Sequence, residues 1–223
     1  MQYKRLTLLC GHYGSGKTNI AVNMALDLRK QAEKVALADL DIVNPYFRAK
    51  DSSDELDSAG IRLICSEFAN SNVDFPALPQ ELYALTDDRS VHAILDIGGD
   101  ERGALALGRI APAIMEENDY EMFMVINACR PLTPDPASTM EVFREIEDAC
   151  RMRFTGIINN TNLGAETTAQ TVLQSLDYAR KTAELAGLPL VLTTVEERLY
   201  PELEGKIENL FPLKLKKLPY ISL

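Results

Sequence analysis

The chain has 223 residues, 46% of them apolar and 25% charged, which is enough for a sizeable core and in the range of a single α/β domain spanning 1–223. Neither disorder nor a membrane span fits this composition. The formal net charge of -10 argues against non-specific nucleic-acid binding and against attraction to an anionic membrane surface.

The N-terminus runs straight into an apolar strand pattern without a secretory leader, so a cytoplasmic protein is expected. Four cysteines, Cys10, Cys65, Cys129 and Cys150, form no C-x-x-C or C-x-C pair and are expected as buried thiols.

The first predicted element is a strand over Leu6–Cys10. It runs into Gly11-His12-Tyr13-Gly14-Ser15-Gly16-Lys17-Thr18, and a helix follows in which Ile20, Met24 and Leu28 recur every four residues. Strand, G-x-x-x-x-G-K-[ST] and helix in that order read as a phosphate-binding loop. Its glycines turn backbone N–H groups inward on the phosphates, Lys17 reaches the β/γ oxygens, and Thr18 holds Mg²⁺. The positive end of the helix adds to the same field. Residues Gly11 to Thr18 are therefore the candidate nucleotide contacts.

Lys34-Val35-Ala36-Leu37-Ala38-Asp39-Leu40-Asp41 reads as a buried strand with two aspartates at its carboxyl end, the end at which ligands sit in open α/β sheets. Ile42 to Arg48 mixes aromatic, proline and arginine residues and reads as a loop able to respond to nucleotide state or to meet a partner. Asp51 to Asp57 reads as a solvated acidic face, Ile61 to Ile64 as a short strand, and Pro79 to Leu85 as a short helix.

Val91 to Asp100 is the second informative stretch. Its strand ends in Asp96, placed as a Walker B aspartate would be, and Gly98 or Gly99 is positioned to bring a backbone N–H to the terminal phosphate. His92 lies at the far end and is read as structural. A helix follows with Leu107, Ile110 and Ile114 on one side, then a strand over Glu121–Asn127. Arg130 sits in the next loop, read as a surface ion pair or a contact to partner or substrate. Asp135-Pro136 starts a helix with Val142, Ile146 and Ala149 as its buried stripe.

The strand Phe154 to Asn162 ends in amides, and Asn160 is the candidate reader of a purine edge. The absence of N-K-x-D, with its acidic reader of guanine, favours adenine. A helix from Glu166, buried through Val172, Leu176, Ala179 and Ala183, closes at Gly187, and Leu188 to Val195 is a further strand. Leu213 to Leu218 alternates apolar and basic residues between Pro212 and Pro219, which suits an edge strand with lysines outward.

Together these residues resemble the MinD/ParA group of P-loop ATPases, in the wider class with signal-recognition GTPases, ArsA, CooC and dethiobiotin synthetase. The resemblance rests on Gly11–Thr18, on Asp39-Leu40-Asp41, on Asp96 with Gly98-Gly99, and on the Gly156 to Asn160 strand end. It implies a three-layer α/β/α P-loop NTPase with a mostly parallel central sheet. Lys17, Asp39 and Asp41 form the catalytic set, with Asp41 positioning water or metal, Thr18, Asp41 and Asp96 serve Mg²⁺, and Gly99 and Asn160 join the ATP contacts. One departure is visible: the additional lysine that crosses an ATP-bound dimer in that pattern is His12 here, a shorter and largely neutral side chain.

The expected function is a Mg²⁺-ATP-dependent switch and ATPase acting on a protein partner still to be identified, with nucleotide-dependent homodimerisation as a further expectation. Two alternatives are a small-molecule kinase or ligase resembling dethiobiotin synthetase, its acceptor site lined by Asn44–Arg48 and Arg130, and a module that binds nucleotide without hydrolysis.

Overall fold

The computed structural model describes residues 1–40, 49–65, 80–99 and 101–215. Asp41 and the Asn44–Arg48 segment lie outside the described residues. In chain order the elements are β1 (Leu6–Cys10), α1 (Lys17–Leu28), β2 (Val35–Leu40), α2 (Ser53–Ser58), β3 (Ile61–Cys65), α3 (Gln80–Asp87), β4 (His92–Ile97) and α4 (Glu101–Glu117). Then come β5 (Tyr120–Ile126), α5 (Pro136–Cys150), β6 (Gly156–Asn159), α6 (Ala169–Ala186), β7 (Leu190–Glu196), α7 (Tyr200–Leu203) and β8 (Leu210–Leu213).

The strands form one sheet in the order β3-β2-β4-β1-β5-β6-β7-β8, and every neighbouring pair is parallel. Parallel strands need crossovers, and the helices that supply them cover both faces, so the central strands are mainly apolar runs rather than alternating. β1, β2 and the carboxyl-terminal five residues of β4 are buried without a break.

One face carries Leu9, Leu37 and Ile94 against α1 and Leu56 of α2. The other carries Leu8, Ala38, Leu95 and Met124 against α3, α4, α5 and α6. This is the three-layer α/β/α arrangement that the sequence predicts, with the sheet wholly rather than mostly parallel.

Several predicted boundaries move. α6 begins at Ala169, not Glu166: Thr168 caps it reciprocally with Thr171, and Gly164–Glu166 form a separate 3₁₀ turn. The buried stripe of α5 is Met140, Phe143, Ile146 and Cys150, whereas Val142 and Ala149 are only half-buried, because the Phe143 ring packs on Phe154 with centroids 4.6 Å apart. Asp135 caps that helix as expected, accepting the Ser138 N–H at 3.0 Å.

The edge strand lies earlier than the alternation suggests, at Leu210–Leu213 beside β7. Pro212 is tolerated there because β8 has a strand on one side only. Lys214 and Leu215 follow it exposed and outside any strand, and 216–218 lie outside the described residues. His92 opens β4 rather than preceding it. Cys10 and Cys150 are buried as expected, but Cys65 and Cys129 are half-exposed. Burial, reinforced by the neighbouring Cys150, holds the Cys10 thiol well above the ordinary cysteine range and therefore protonated and inert.

Candidate functional site

The carboxyl ends of β2, β4, β1 and β5 lie side by side, and the chain reverses its direction across the sheet at β1. That reversal makes a crevice at the ends of the strands, and the Gly11–Thr18 loop occupies it. Gly16 stands at the cap of α1 with φ of 90°, a left-handed conformation open to glycine, and it has no side chain to compete for the helix's first N–H groups. The loop is closed by Ser15 N–H donating to the His12 carbonyl at 3.1 Å. Lys17 is buried, and its ammonium lies inside the turn, donating to the carbonyls of Gly11 at 3.0 Å and His12 at 3.4 Å. Its charge is thus held over the centre of the loop, where an anion would meet it.

Register explains the carboxylates. Asp39 of β2 pairs with Asp96 of β4, which in turn pairs with Leu9 of β1. Side chains two apart share a face, so Asp39 and Asp96 lie on the same side as Leu37 and Ile94, the side covered by α1. Both aspartates are therefore under the helix that begins with Lys17 and Thr18. Asp96 is fully buried; Asp39 is nearly so and accepts the backbone N–H of Ala49 at 3.0 Å, which gives it an anchoring duty beside any catalytic one.

Gly99 reaches the loop directly. A Cβ there would sit 2.5 Å from the Tyr13 nitrogen and 2.9 Å from the Gly11 oxygen, so this position rests on the loop backbone and admits no side chain. Gly103, in the first turn of α4, rests in the same way on Gly98, with its Cβ position 2.5 Å from the Gly98 oxygen. Loop, glycine pair and α4 are thus in continuous backbone contact.

Asn160 is buried beneath the loop, and both ends of its amide are engaged. Its nitrogen donates to the Ser15 carbonyl at 2.6 Å, and its oxygen accepts from the Thr194 hydroxyl at 2.6 Å. It positions the loop in this conformation, a role that sequence reasoning missed because it depends on β6 and β7 being neighbours.

Asn160 also lines a cavity of about 180 Å³ with Gly16, Asn19, Arg130, Asn162 and Glu196. One carboxylate, Glu196, is therefore at the pocket, and it pairs with the Arg198 guanidinium at 2.6 Å. Arg130 is not a surface ion pair: no carboxylate among the described residues pairs with it, and its guanidinium lies against Gly14.

These residues fit a magnesium–nucleotide group. The Ser15 hydroxyl is buried with no hydrogen-bond partner among the described residues, as a donor awaiting an anion would be. Thr18 stands at the mouth of α1 on the face that carries Asp96. Among the described residues no cluster of three or more His, Cys, Asp or Glu side chains suits a metal; of the expected Mg²⁺ set Thr18, Asp41 and Asp96, Thr18 and Asp96 are described and could serve it together with the phosphates.

Sheet, helices and loop together define an α/β P-loop NTPase fold. Solved structures share the architecture. FtsY of Thermotoga maritima matches 86% of this chain and 62% of its own at a TM-score of 0.54 and 17% identity. The signal recognition particle 54 kDa protein of Aeropyrum pernix, solved with GDP, matches 86% of this chain and 41% of its own at 0.51 and 18%. FlhF, solved with GTP and Mg²⁺, matches 86% and 66% at 0.52 and 15%. The likeness is one of fold, and this chain spans between 41% and 66% of the length of these three. No family model and no curated relative matches the chain by sequence. Among the described residues no helix is long and apolar enough to cross a membrane.

Proposed function

We propose that the chain binds a Mg²⁺-nucleoside triphosphate on Gly11–Thr18 and acts as a nucleotide-dependent switch, hydrolysing the triphosphate as it releases or engages a protein partner. The observation that carries this reading is the continuous contact from loop to Gly99, Gly98 and Gly103. A group arriving at the phosphate end of the loop cannot displace Gly99 without moving α4, because backbone rests on backbone at both steps. Large apolar side chains sit exposed around the same rim, Tyr13 at 41% and Leu132 at 64%, where a partner would read the change.

Lys17 would hold the β/γ oxygens, Thr18 and Asp96 would serve the metal, and Asp41 would orient the attacking water. Bound Mg²⁺ supplies charge neutralisation on the phosphates. The base is adenine, a reading supported by the missing N-K-x-D and by the Arg198 pairing that occupies Glu196. A second reading, guanine, draws on Glu196 at the cavity and on the guanine nucleotides in the solved structures of similar fold.

Light scattering tests the switch. With Mg²⁺ and a non-hydrolysable ATP analogue the solution mass rises towards twice the 24.8 kDa of one chain, and with Mg²⁺-ADP it returns to one. Equal mass in the two states removes the self-association part of the reading and turns attention to metabolites that stimulate ADP release.

A further inference from the structure

We propose that Arg130 is a cation of the chain's own nucleotide site, reaching over the loop to bind the phosphates of the nucleotide; this rests on the nucleotide reading above. β5 lies directly beside β1, with Met124 opposite Cys10, so the chain leaving β5 passes alongside the chain leaving β1. Arg130 is the fourth residue beyond β5, and the turn that carries it is fixed. Its N–H donates to the Asn127 carbonyl at 3.1 Å, and its carbonyl accepts from Thr133 at 3.1 Å. The Asn127 side chain ties the same turn to Cys129 N–H at 2.9 Å, and Tyr178 donates to the Thr133 carbonyl at 3.2 Å. The backbone that carries the arginine is therefore fixed.

Its guanidinium is aimed at the loop. From the Cβ position of Gly14 the distances are 3.4 Å to Cζ, 3.4 Å to Nε and 3.6 Å to Nη1, so the head group lies on the loop backbone. It also lines the cavity that Gly16 and Asn160 border. Nε is buried without a hydrogen-bond partner among the described residues. Acidic residues outnumber basic ones by 33 to 23 in this chain, yet none of the described carboxylates pairs with this head group.

A half-buried guanidinium left without an anion is costly, and a phosphate accepts its planar fork through two parallel hydrogen bonds. The one described carboxylate that lines the same cavity, Glu196, is paired with Arg198 rather than with Arg130, so it leaves the head group open to a phosphate. An uncharged acceptor would leave the same donors under-used, so the ligand is an anion of the phosphoryl class.

Calorimetry on the full chain and on Arg130→Ala and Arg130→Lys tests this, with Mg²⁺-ATP and with inorganic tripolyphosphate as probes at two salt concentrations. Arg130→Ala is expected to weaken both probes about ten-fold and to make the binding less salt-sensitive, while Lys recovers part of the loss. The melting temperature without nucleotide stays near that of the parent, which separates a lost contact from a lost fold. Parent-like affinity and salt dependence in Arg130→Ala overturn the inference while leaving the nucleotide site intact. A parent chain that binds neither probe overturns both.

Discussion

Lys17→Ala is expected to lose at least about 100-fold in Mg²⁺-nucleotide affinity, roughly 3 kcal/mol, with the fold retained. The ammonium is buried at the centre of the turn and is positioned by the Gly11 and His12 carbonyls. Those carbonyls are dipoles, so they orient the charge without neutralising it, and the full cation remains for the phosphates. Alanine removes charge and reach together, and the loop's N–H groups alone bind an anion far more weakly. The check is the nucleotide-induced rise in melting temperature, large in the parent and absent in the variant. An equal rise in both would move the site away from the loop.

Gly11→Ala carries the largest expected effect on stability. Gly11 has φ of 146°, and a Cβ there collides with the Val125 carbonyl oxygen of the neighbouring strand. Backbone lies on the other side of the contact, so no side chain can swing aside. β1 and β5 must separate at their carboxyl ends or the loop must leave its conformation. Strained φ and overpacking each cost on the order of 1–3 kcal/mol. A loss of about 3 kcal/mol lowers the melting temperature by roughly 6–12 °C in a chain of this size. Thermal unfolding without nucleotide measures it, and a parent-like midpoint would show that the loop leaves β1 along another path.

The loop was legible in the sequence because its meaning is local: spacing, glycines and the switch from strand to helix pattern all fall within a dozen residues. The carboxylates were legible for a related reason. Strand polarity is fixed in a parallel sheet, so Asp39 and Asp96 near strand ends had to arrive side by side at the carboxyl edge. What stayed hidden was set by strand neighbours. Asn160 reads as a base contact, and its tie between Ser15 and Thr194 is visible only once β6 lies beside β7.

Arg130 reads as a surface ion pair or a contact to partner or substrate, and its place against Gly14 is visible only once β5 lies beside β1. The stripe of α5 was misplaced because Val142 and Ile146 fit the helical period as well as Phe143 does, and only the contact with Phe154 decides the rotation. The start of α6 was misplaced because its cap pairs Thr168 with a threonine at the third position rather than with a glutamate.

The central claim is a purine nucleotide held on Gly11–Thr18, and the most direct measurement is isothermal calorimetry of the full chain with Mg²⁺-ATP and, separately, Mg²⁺-GTP. One nucleotide per chain is expected, with tighter binding of ATP than of GTP and weaker binding when EDTA removes the metal. Tighter binding of GTP would reverse the choice of base and assign Glu196 to it. Absence of binding heat for both nucleotides, across temperatures and at millimolar concentration, would contradict the claim itself.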